Sequence, residues 1–226
     1  MHQHPSHPTT KTARRLPDLR AARRAASVVA AAAALVLALA AGASAQPASK
    51  TRVTVIGDSV MASFNYVAAA RRYLGRGLDL HSDAVVCRRL VATSCPFQGS
   101  TPSTALDVVT TEGDRLGPVV VINVGYNDWA AVYDVDRVMR ALKAAGVRTV
   151  IWVTLKDVGS YASVYAQTNA RIRRADKKWG DSMVVADWNA YSRGRAWFRG
   201  DGLHLTPSGA MALAHFLRPL VLAGAS

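Results

Sequence analysis

The sequence is poor in the residues that build metal and thiol chemistry. Only two cysteines occur in 226 residues, no Cys-x-x-Cys motif exists, and three of the six histidines lie within the first seven positions. The other three, His81, His204 and His215, are widely separated and give little support for a metal site. We therefore expect no metal and no cofactor.

Acidic residues are also scarce, with 15 against 28 lysines and arginines and a net charge of +13. No block of the basic residues resembles a nucleic-acid-binding tract, so nucleic acid is not an expected partner. The sequence shows no internal repeat, which excludes a repeat architecture. A positive surplus of this kind favours contact with anionic polymers.

The N-terminal segment has the three parts of a secretory signal peptide. Residues 1–26 hold six basic residues and one acid, residues 27–45 are uncharged, and the stretch ends in Ala43-Ser44-Ala45. This pattern predicts a signal peptide over residues 1–45, cleaved after Ala45, and an exported protein. A single membrane anchor is the alternative, but the strongly apolar part is shorter than the roughly 20 residues that a span needs. The twin-arginine pairs at 14–15 and 23–24 leave the Sec and Tat routes open.

Removal of that segment leaves 181 residues with a net charge of +8. We expect a short linker over 46–50 and one catalytic domain over 51–226, a length that suits a single core. We find no second apolar run of spanning length, so no stable membrane span is expected after cleavage. A basic exported domain favours anionic cell-envelope polymers as contacts.

Both cysteines, Cys87 and Cys95, lie in the predicted mature chain. They stand eight positions apart in a stretch rich in Thr, Ser and Pro, which indicates a loop. In an oxidising compartment such a pair predicts a disulfide, worth about 2.5 kcal/mol on the chain-entropy estimate. A catalytic thiol is the alternative.

Apolar β-branched runs alternate with helical segments along the whole domain. This order predicts an α/β fold with a mainly parallel sheet, in which Thr206 caps the last helix and Pro207 opens it. The predicted strands are 52–56, 78–86, 119–124, 149–154 and 183–187, and the predicted helices are 60–74, 104–111, 135–145, 160–178 and 207–222.

Polar motifs follow the strands, where sites form in parallel sheets. Gly57-Asp58-Ser59 follows the first strand, the segment 125–128 (Gly-Tyr-Asn-Asp) follows the third, and Asp187 follows the fifth. We expect the turn after the first strand to hold Ser59 near the N-terminal amides of the next helix, which favour negative charge. Serine needs a base that is itself oriented, and Asp201 and His204, three positions apart, supply both groups.

Together, Gly-Asp-Ser, Gly-x-Asn-Asp and Asp-x-x-His resemble the SGNH/GDSL hydrolase family in order and spacing, over residues 53–222. The resemblance implies a flavodoxin-like three-layer α/β/α sandwich with a five-stranded, mainly parallel sheet. It implies Ser59 as nucleophile, His204 as general base and Asp201 as the acid that orients it. The oxyanion hole would use the backbone N–H of Ser59 and the side-chain amide of Asn127, whose alternative role is that of a turn residue.

One family motif departs from the pattern. The family has a glycine after the second strand whose N–H completes the oxyanion hole, and here Cys87 stands in that region. A backbone donor does not require glycine if its φ and ψ are ordinary. We therefore expect Cys87 N–H to be the third donor, in a loop that the disulfide fixes.

Further stretches resemble the extracellular SGNH domain of bacterial peptidoglycan O-acetyltransferases: Gly-Asp-Ser-Val-Met, Asp-Ala-x-x-x-Arg, Val-x-Asp-Trp and Asp-Gly-x-His-Leu-Thr-Pro-x-Gly-Ala. Those proteins fuse the domain to a multi-span membrane acyltransferase module, which this sequence does not contain. The resemblance implies an exported esterase for short acyl esters of cell-envelope carbohydrate, or an O-acyltransferase that works with a membrane acyltransferase partner. A non-catalytic envelope-binding module is the remaining alternative.

Aromatic and basic residues near these motifs have two interpretations each. Four aromatic side chains would either line a carbohydrate cleft or pack in the core: Trp129, Trp188, Trp197 and Phe198. Five basic residues predict a solvated helix face, with contact to an anionic polymer as the alternative: Arg171, Arg173, Arg174, Lys177 and Lys178.

Overall fold

The computed structural model describes residues 49–226. The predicted signal peptide (1–45) and residues 46–48 of the predicted linker lie outside the described residues. Residues 49 and 50 are exposed and belong to no helix or strand.

Five short strands form one sheet in the order β2-β1-β3-β4-β5, and every neighbouring pair is parallel. The predicted five-stranded parallel sheet is therefore confirmed. Four strands stop one or two residues before their predicted ends, because the residues that follow make no further strand pairs. The strands are β1 (Arg52–Gly57), β2 (Asp79–Ala84), β3 (Val119–Asn123), β4 (Thr149–Val153) and β5 (Met183–Ala186).

Helices connect the strands as expected, with one break. The helix predicted over 60–74 is two helices, because Val67 leaves the helical region with φ −107° and ψ 72°. The helices are α1 (Ser63–Tyr66), α2 (Ala68–Leu74), α3 (Ala105–Glu112), α4 (Val135–Ala144), α5 (Ala162–Trp179), α6 (Trp188–Tyr191) and α7 (Pro207–Ala225). Short 3₁₀ helices span Gly113–Leu116, Ala130–Val132, Gly159–Tyr161 and Gly180–Ser182.

The sheet separates two hydrophobic cores. Alternate residues of each strand point to opposite faces, so Val55 and Val121 join one core while Ile56 and Ile122 join the other. Helices α1, α2 and α7 cover the first face, and α3, α4 and α5 cover the second. This arrangement is the predicted three-layer α/β/α sandwich.

The last helix begins as its sequence predicts. The Thr206 hydroxyl accepts a hydrogen bond from Gly209 N–H at 3.1 Å, and Pro207 is the first helical residue. By length and composition alone, α7 is long and apolar enough to span a membrane. The expectation that the predicted mature chain holds no second apolar run of spanning length is therefore corrected. The apolar character of α7 has a role within the domain, since one face packs in the first core through Ala210, Leu213, Ala214, Leu217 and Val221.

Candidate active site

Three residues that lie far apart in the sequence form a continuous hydrogen-bonded chain. Ser59 Oγ lies 3.1 Å from His204 Nε2, and His204 Nδ1 lies 2.7 Å from Asp201 Oδ2. If His204 carries its proton on Nδ1 and donates it to Asp201, the lone pair of Nε2 faces the Ser59 hydroxyl. This is the arrangement in which an imidazole can take the proton of a serine.

The Asp201 carboxylate is held in place by further donors. Its Oδ1 accepts the backbone N–H groups of Leu203 at 2.8 Å and His204 at 2.9 Å. Burial raises the pKa of Asp201, but the hydrogen bonds from the His204 ring and these two N–H groups outweigh that effect and lower the pKa to about 2. Asp201 is therefore charged at any pH at which a neutral His204 could act as a base.

A short hairpin-like loop presents Asp201 and His204. An isolated antiparallel bridge pairs Phe198 with Leu205, and Gly202, with φ +69°, makes the turn between them. The loop rests on the start of α7, where Gly209 passes so close to Trp197 O that a Cβ at this position would overlap it.

Ser59 lies in a series of tight turns, and the predicted helix does not begin immediately after it. The chain turns between residues 59 and 62, and α1 begins at Ser63. The Asp58 carboxylate accepts Val60 N–H at 3.1 Å, a local side-chain bond that competes with helix formation. The expected contribution from helix N-terminal amides is therefore wrong, and the amides beside Ser59 belong to turns.

Asp58 joins the Ser59 turn to the loop after β3. Its Oδ2 accepts the N–H groups of Gly125 and Tyr126, both at 3.0 Å. The carboxyl is fully buried, and burial raises its pKa to about 6 against the lowering effect of the backbone N–H groups. Asn127 follows directly after Tyr126, so these hydrogen bonds of Asp58 fix the position of Asn127 relative to Ser59.

The three expected oxyanion-hole donors lie on loops that are tied together. The Asn127 side-chain amide donates to Arg88 O at 3.3 Å, one residue beyond Cys87, and the Arg89 guanidinium donates to Asn127 O at 2.7 Å. Within residues 49–226 neither Ser59 N–H nor Cys87 N–H has a hydrogen-bond acceptor. Both N–H groups are therefore available to a ligand.

The disulfide between Cys87 and Cys95 is present, as predicted from their spacing. The expected ordinary backbone at Cys87 is wrong, since its φ is +70°, in the left-handed region that glycine favours. The loop is anchored on β2 by the buried Arg88, which donates to Asp83 O at 2.6 Å and to Asp83 Oδ1 at 3.0 Å. It is anchored on the loop after β3 by Asp128, which accepts Leu90 N–H through both oxygens, at 3.2 and 3.1 Å.

A cavity of about 250 Å³ opens beside Asn127. Trp129 and Tyr161 line it in a T-shaped arrangement with ring centroids 6.3 Å apart, and both side chains are more than half exposed. Tyr161 was not among the residues expected at the site, although it stands four positions before Tyr165, a spacing that places two residues on one helical face. The complete lining is Arg89, Cys95, Tyr126, Asn127, Asp128, Trp129, Tyr161 and Tyr165.

The other three aromatic residues considered for a cleft have packing roles. Trp188 is fully buried, Trp197 stacks on it at 5.7 Å, and the Lys156 ammonium lies over the Phe198 ring at 3.9 Å. Of the four, Trp129 is the one placed at the cavity.

Within the described residues, none of the remaining charged candidates pairs with a residue of the triad. Asp187 accepts the Thr154 hydroxyl at 3.0 Å and pairs with Arg173 at 2.7 Å, while Lys178 pairs with Asp136 at 2.6 Å. A larger cavity, of about 530 Å³, is lined in part by Arg171, Arg174 and Lys178. Neither cavity is lined by a residue of the triad, but the smaller one includes Asn127, an expected oxyanion-hole residue, whereas the larger one includes no such residue. Residues 49–226 contain no group of three or more metal-ligating side chains.

Solved structures share this fold at low sequence identity. The C-terminal catalytic domain of peptidoglycan O-acetyltransferase A from Streptococcus pneumoniae, with a methylsulfonyl adduct, is 20% identical, with a TM-score of 0.56 over 78% of this chain and 94% of that one. A carbohydrate acetylesterase family member from Sinorhizobium meliloti is 15% identical, with a TM-score of 0.56 over 76% and 98%. A putative arylesterase from Agrobacterium tumefaciens is 14% identical, with a TM-score of 0.54 over 76% and 99%.

No protein-family model and no curated protein matches the sequence. The structural likenesses confirm the predicted fold class.

Proposed function

We propose that this chain is an exported serine esterase that removes short acyl groups, acetyl above all, from cell-envelope carbohydrate. The observation that carries the proposal is the hydrogen-bonded chain from Ser59 Oγ through the His204 ring to Asp201, with distances of 3.1 and 2.7 Å. A serine outside such a chain is a weak nucleophile, because nothing nearby removes its proton.

The geometry supports a two-step acyl transfer. His204 Nε2 takes the Ser59 proton while Oγ attacks the acyl carbon, and the resulting oxyanion accepts hydrogen bonds from the N–H groups of Ser59 and Cys87 and from the Asn127 amide. Collapse of this intermediate breaks the ester bond, and the departing alcohol takes the proton from the imidazolium. Water then attacks the acyl-enzyme with His204 as base, releasing the acid and free Ser59.

An O-acyltransferase is the second candidate, since a sugar hydroxyl can replace water in the last step. The shared fold with the O-acetyltransferase domain favours it. In that case a membrane acyltransferase would be the partner that supplies the acyl group. A non-catalytic envelope-binding module is the third candidate, and the alignment of all three triad side chains argues against it.

The carbohydrate part of the proposal rests on the cavity beside Asn127. Exposed aromatic rings such as Trp129 and Tyr161 offer flat apolar faces, and the cavity of about 250 Å³ is too small for a long acyl chain together with a sugar. The net charge of +8 on the 181 residues after Ala45 further supports contact with anionic envelope polymers.

Wild-type protein should hydrolyse an aryl acetate and be phosphonylated by a fluorophosphonate probe. With an acetylated chito-oligosaccharide as substrate, Trp129→Ala should lower kcat/KM by about tenfold, the value of one lost aromatic contact, while aryl acetate turnover changes less than about twofold. The measurement is acetate release, with mass spectrometry of the oligosaccharide products.

Val132→Ala is the matched control, because Val132 is an exposed residue of the same loop that does not line this cavity. Aryl acetate given together with free chito-oligosaccharide separates the two enzyme classes. Acetylated sugar would identify a transferase, acetate alone an esterase, and a clear preference for long acyl chains would contradict the carbohydrate-ester proposal.

Export is a separate part of the proposal and rests on the N-terminal sequence pattern and on the disulfide. Full-length chain expressed in a bacterial host should be recovered from the envelope or medium with Gln46 as its first residue. N-terminal peptide mapping of the exported protein makes this measurement. Envelope protein that retains residues 2–45 would support the membrane-anchor alternative.

A further inference from the structure

We propose that the Cys87–Cys95 disulfide controls the direction of the Cys87 N–H, and that Cys95 is thereby a positioning residue for catalysis. The inference rests on the proposed function, because it concerns the third donor of the oxyanion hole. It begins from the backbone at Cys87, which adopts a conformation that a cysteine disfavours.

Residues 85–88 form a β-turn directly after β2. Arg88 N–H donates to Val85 O at 3.3 Å, which closes the turn, and Cys87 is its third residue. Cys87 has φ +70°, whereas Val86 is not among the residues with positive φ. A positive φ confined to the third residue defines a type II turn, and that position is usually glycine or asparagine.

The turn type decides which way the Cys87 N–H points. Types I and II differ mainly at the peptide between the second and third residues, whose orientation changes by about 150° with the ψ of the second residue. In a type I turn the Val86 carbonyl oxygen would therefore face the side on which the Cys87 N–H now lies. An acceptor would replace a donor beside the developing oxyanion, which removes one stabilising contact and adds a repulsive one.

A residue with a Cβ prefers negative φ, so a cysteine at this position tends toward the type I turn. Cys95 makes two contacts that oppose this tendency. Its side chain is bonded to Cys87, and its N–H donates to Cys87 O at 3.3 Å. The disulfide thus holds position 87 at a positive φ through a covalent bond, whereas a glycine would adopt this φ because it has no side chain.

The surroundings of the turn leave its central N–H groups unpaired and place the turn near Ser59. Within the described domain neither Val86 N–H nor Cys87 N–H has an acceptor, whereas the N–H groups of Val85 and Arg88 are bonded. Val85 N–H donates to Gly57 O at 3.1 Å, which places the turn beside the end of β1 and two residues from Ser59. The Asn127 amide meets the turn from the other side, through Arg88 O.

A pair of variants that both lack the disulfide isolates the effect of φ. Cys87→Ala with Cys95→Ala should lower kcat for an aryl acetate by about 10²-fold with little change in KM, the loss typical of one oxyanion-hole donor. Cys87→Gly with Cys95→Ala should stay within about fivefold of wild type, because glycine adopts the type II turn without help. Cys87→Asn with Cys95→Ala should lie between them, since asparagine tolerates positive φ better than alanine.

The alanine and glycine variants at position 87 differ by one methyl group, and both lack the disulfide. If the disulfide served only to stabilise the loop, the two variants would have equal activities, or the more flexible glycine variant would have the lower activity. Equal activity of these two, whether high or low, would overturn the proposal. If the alanine variant does not fold, reduction of the folded wild-type protein makes the same test: TCEP should lower wild-type kcat and leave the glycine variant unchanged. A wild-type protein that neither hydrolyses aryl acetate nor reacts with the fluorophosphonate would instead contradict the proposed function itself.

Discussion

Alanine at position 59 should give a folded protein that a fluorophosphonate does not label and that turns over an aryl acetate about 10⁵-fold more slowly than wild type. The reason is that Ser59 Oγ is the one atom in the candidate site placed to attack an acyl carbon and also 3.1 Å from a base. Its removal leaves the oxyanion donors, which alone retain only a small part of the catalysis. Intact-mass spectrometry of the labelled protein and a spectrophotometric esterase assay measure the two effects.

Ser160→Ala is a suitable control, because Ser160 is an exposed serine in the connection from β4 to α5. This variant should be labelled and active like wild type. Labelling of the Ser59 variant to the wild-type extent would show that the probe reacts elsewhere. Full retention of esterase activity would remove Ser59 from the role of nucleophile.

Removal of the imidazole should be almost as damaging as removal of the nucleophile. We expect His204→Ala to lower kcat by about 10⁵-fold, and Asp201→Asn by about 10⁴-fold because the ring would lose its orientation and its preferred tautomer. Thermal unfolding should change little for Asp201→Asn, since its side chain is about half exposed. Steady-state kinetics on the aryl acetate makes the comparison.

The pH dependence separates the two residues. The Asp201 pKa, lowered to about 2, keeps its carboxylate charged, so whatever stability its hydrogen bonds contribute is present above the ordinary pKa of 3.8 and is lost only as the pH falls toward 2. A loss of activity in acid that begins well above pH 2 would therefore come from a group other than Asp201, and protonation of the His204 ring, which then cannot accept the Ser59 proton, explains such a loss. An acid limb centred near pH 2 would assign the titration to Asp201 and remove His204 from the role of base.

Most of the fold could be predicted because its signals are local. The buried strands β1 and β3 are continuous β-branched runs, and the start of α7 is specified by Thr206 and Pro207. The meeting of Ser59 with the Asp201–His204 loop was predictable in outline, because three short motifs occur in the order of a known family. Their catalytic roles remain predictions until the variants are measured.

The features that could not be predicted depend on tertiary contacts. The delayed start of α1 accompanies hydrogen bonds of Asp58 that reach across to Gly125 and Tyr126. The left-handed backbone of Cys87 has no local signal, since cysteine is not a residue that favours it. The three tryptophans Trp129, Trp188 and Trp197 could not be told apart from the sequence. Only their exposure in the folded domain shows that Trp129 lies at the cavity and that the other two pack against each other.

The Ser59 and His204 side chains that meet at 3.1 Å are separated by 145 positions in the chain. His204 reaches its place only when the loop after α6 rests on α7, and α7 is the last helix of the described domain. A chain that is made or translocated from its N-terminus therefore carries the serine long before it has a base. Catalytic competence would appear only after the C-terminal helix has folded onto the sheet, so a nascent chain would be unable to acylate itself before that stage.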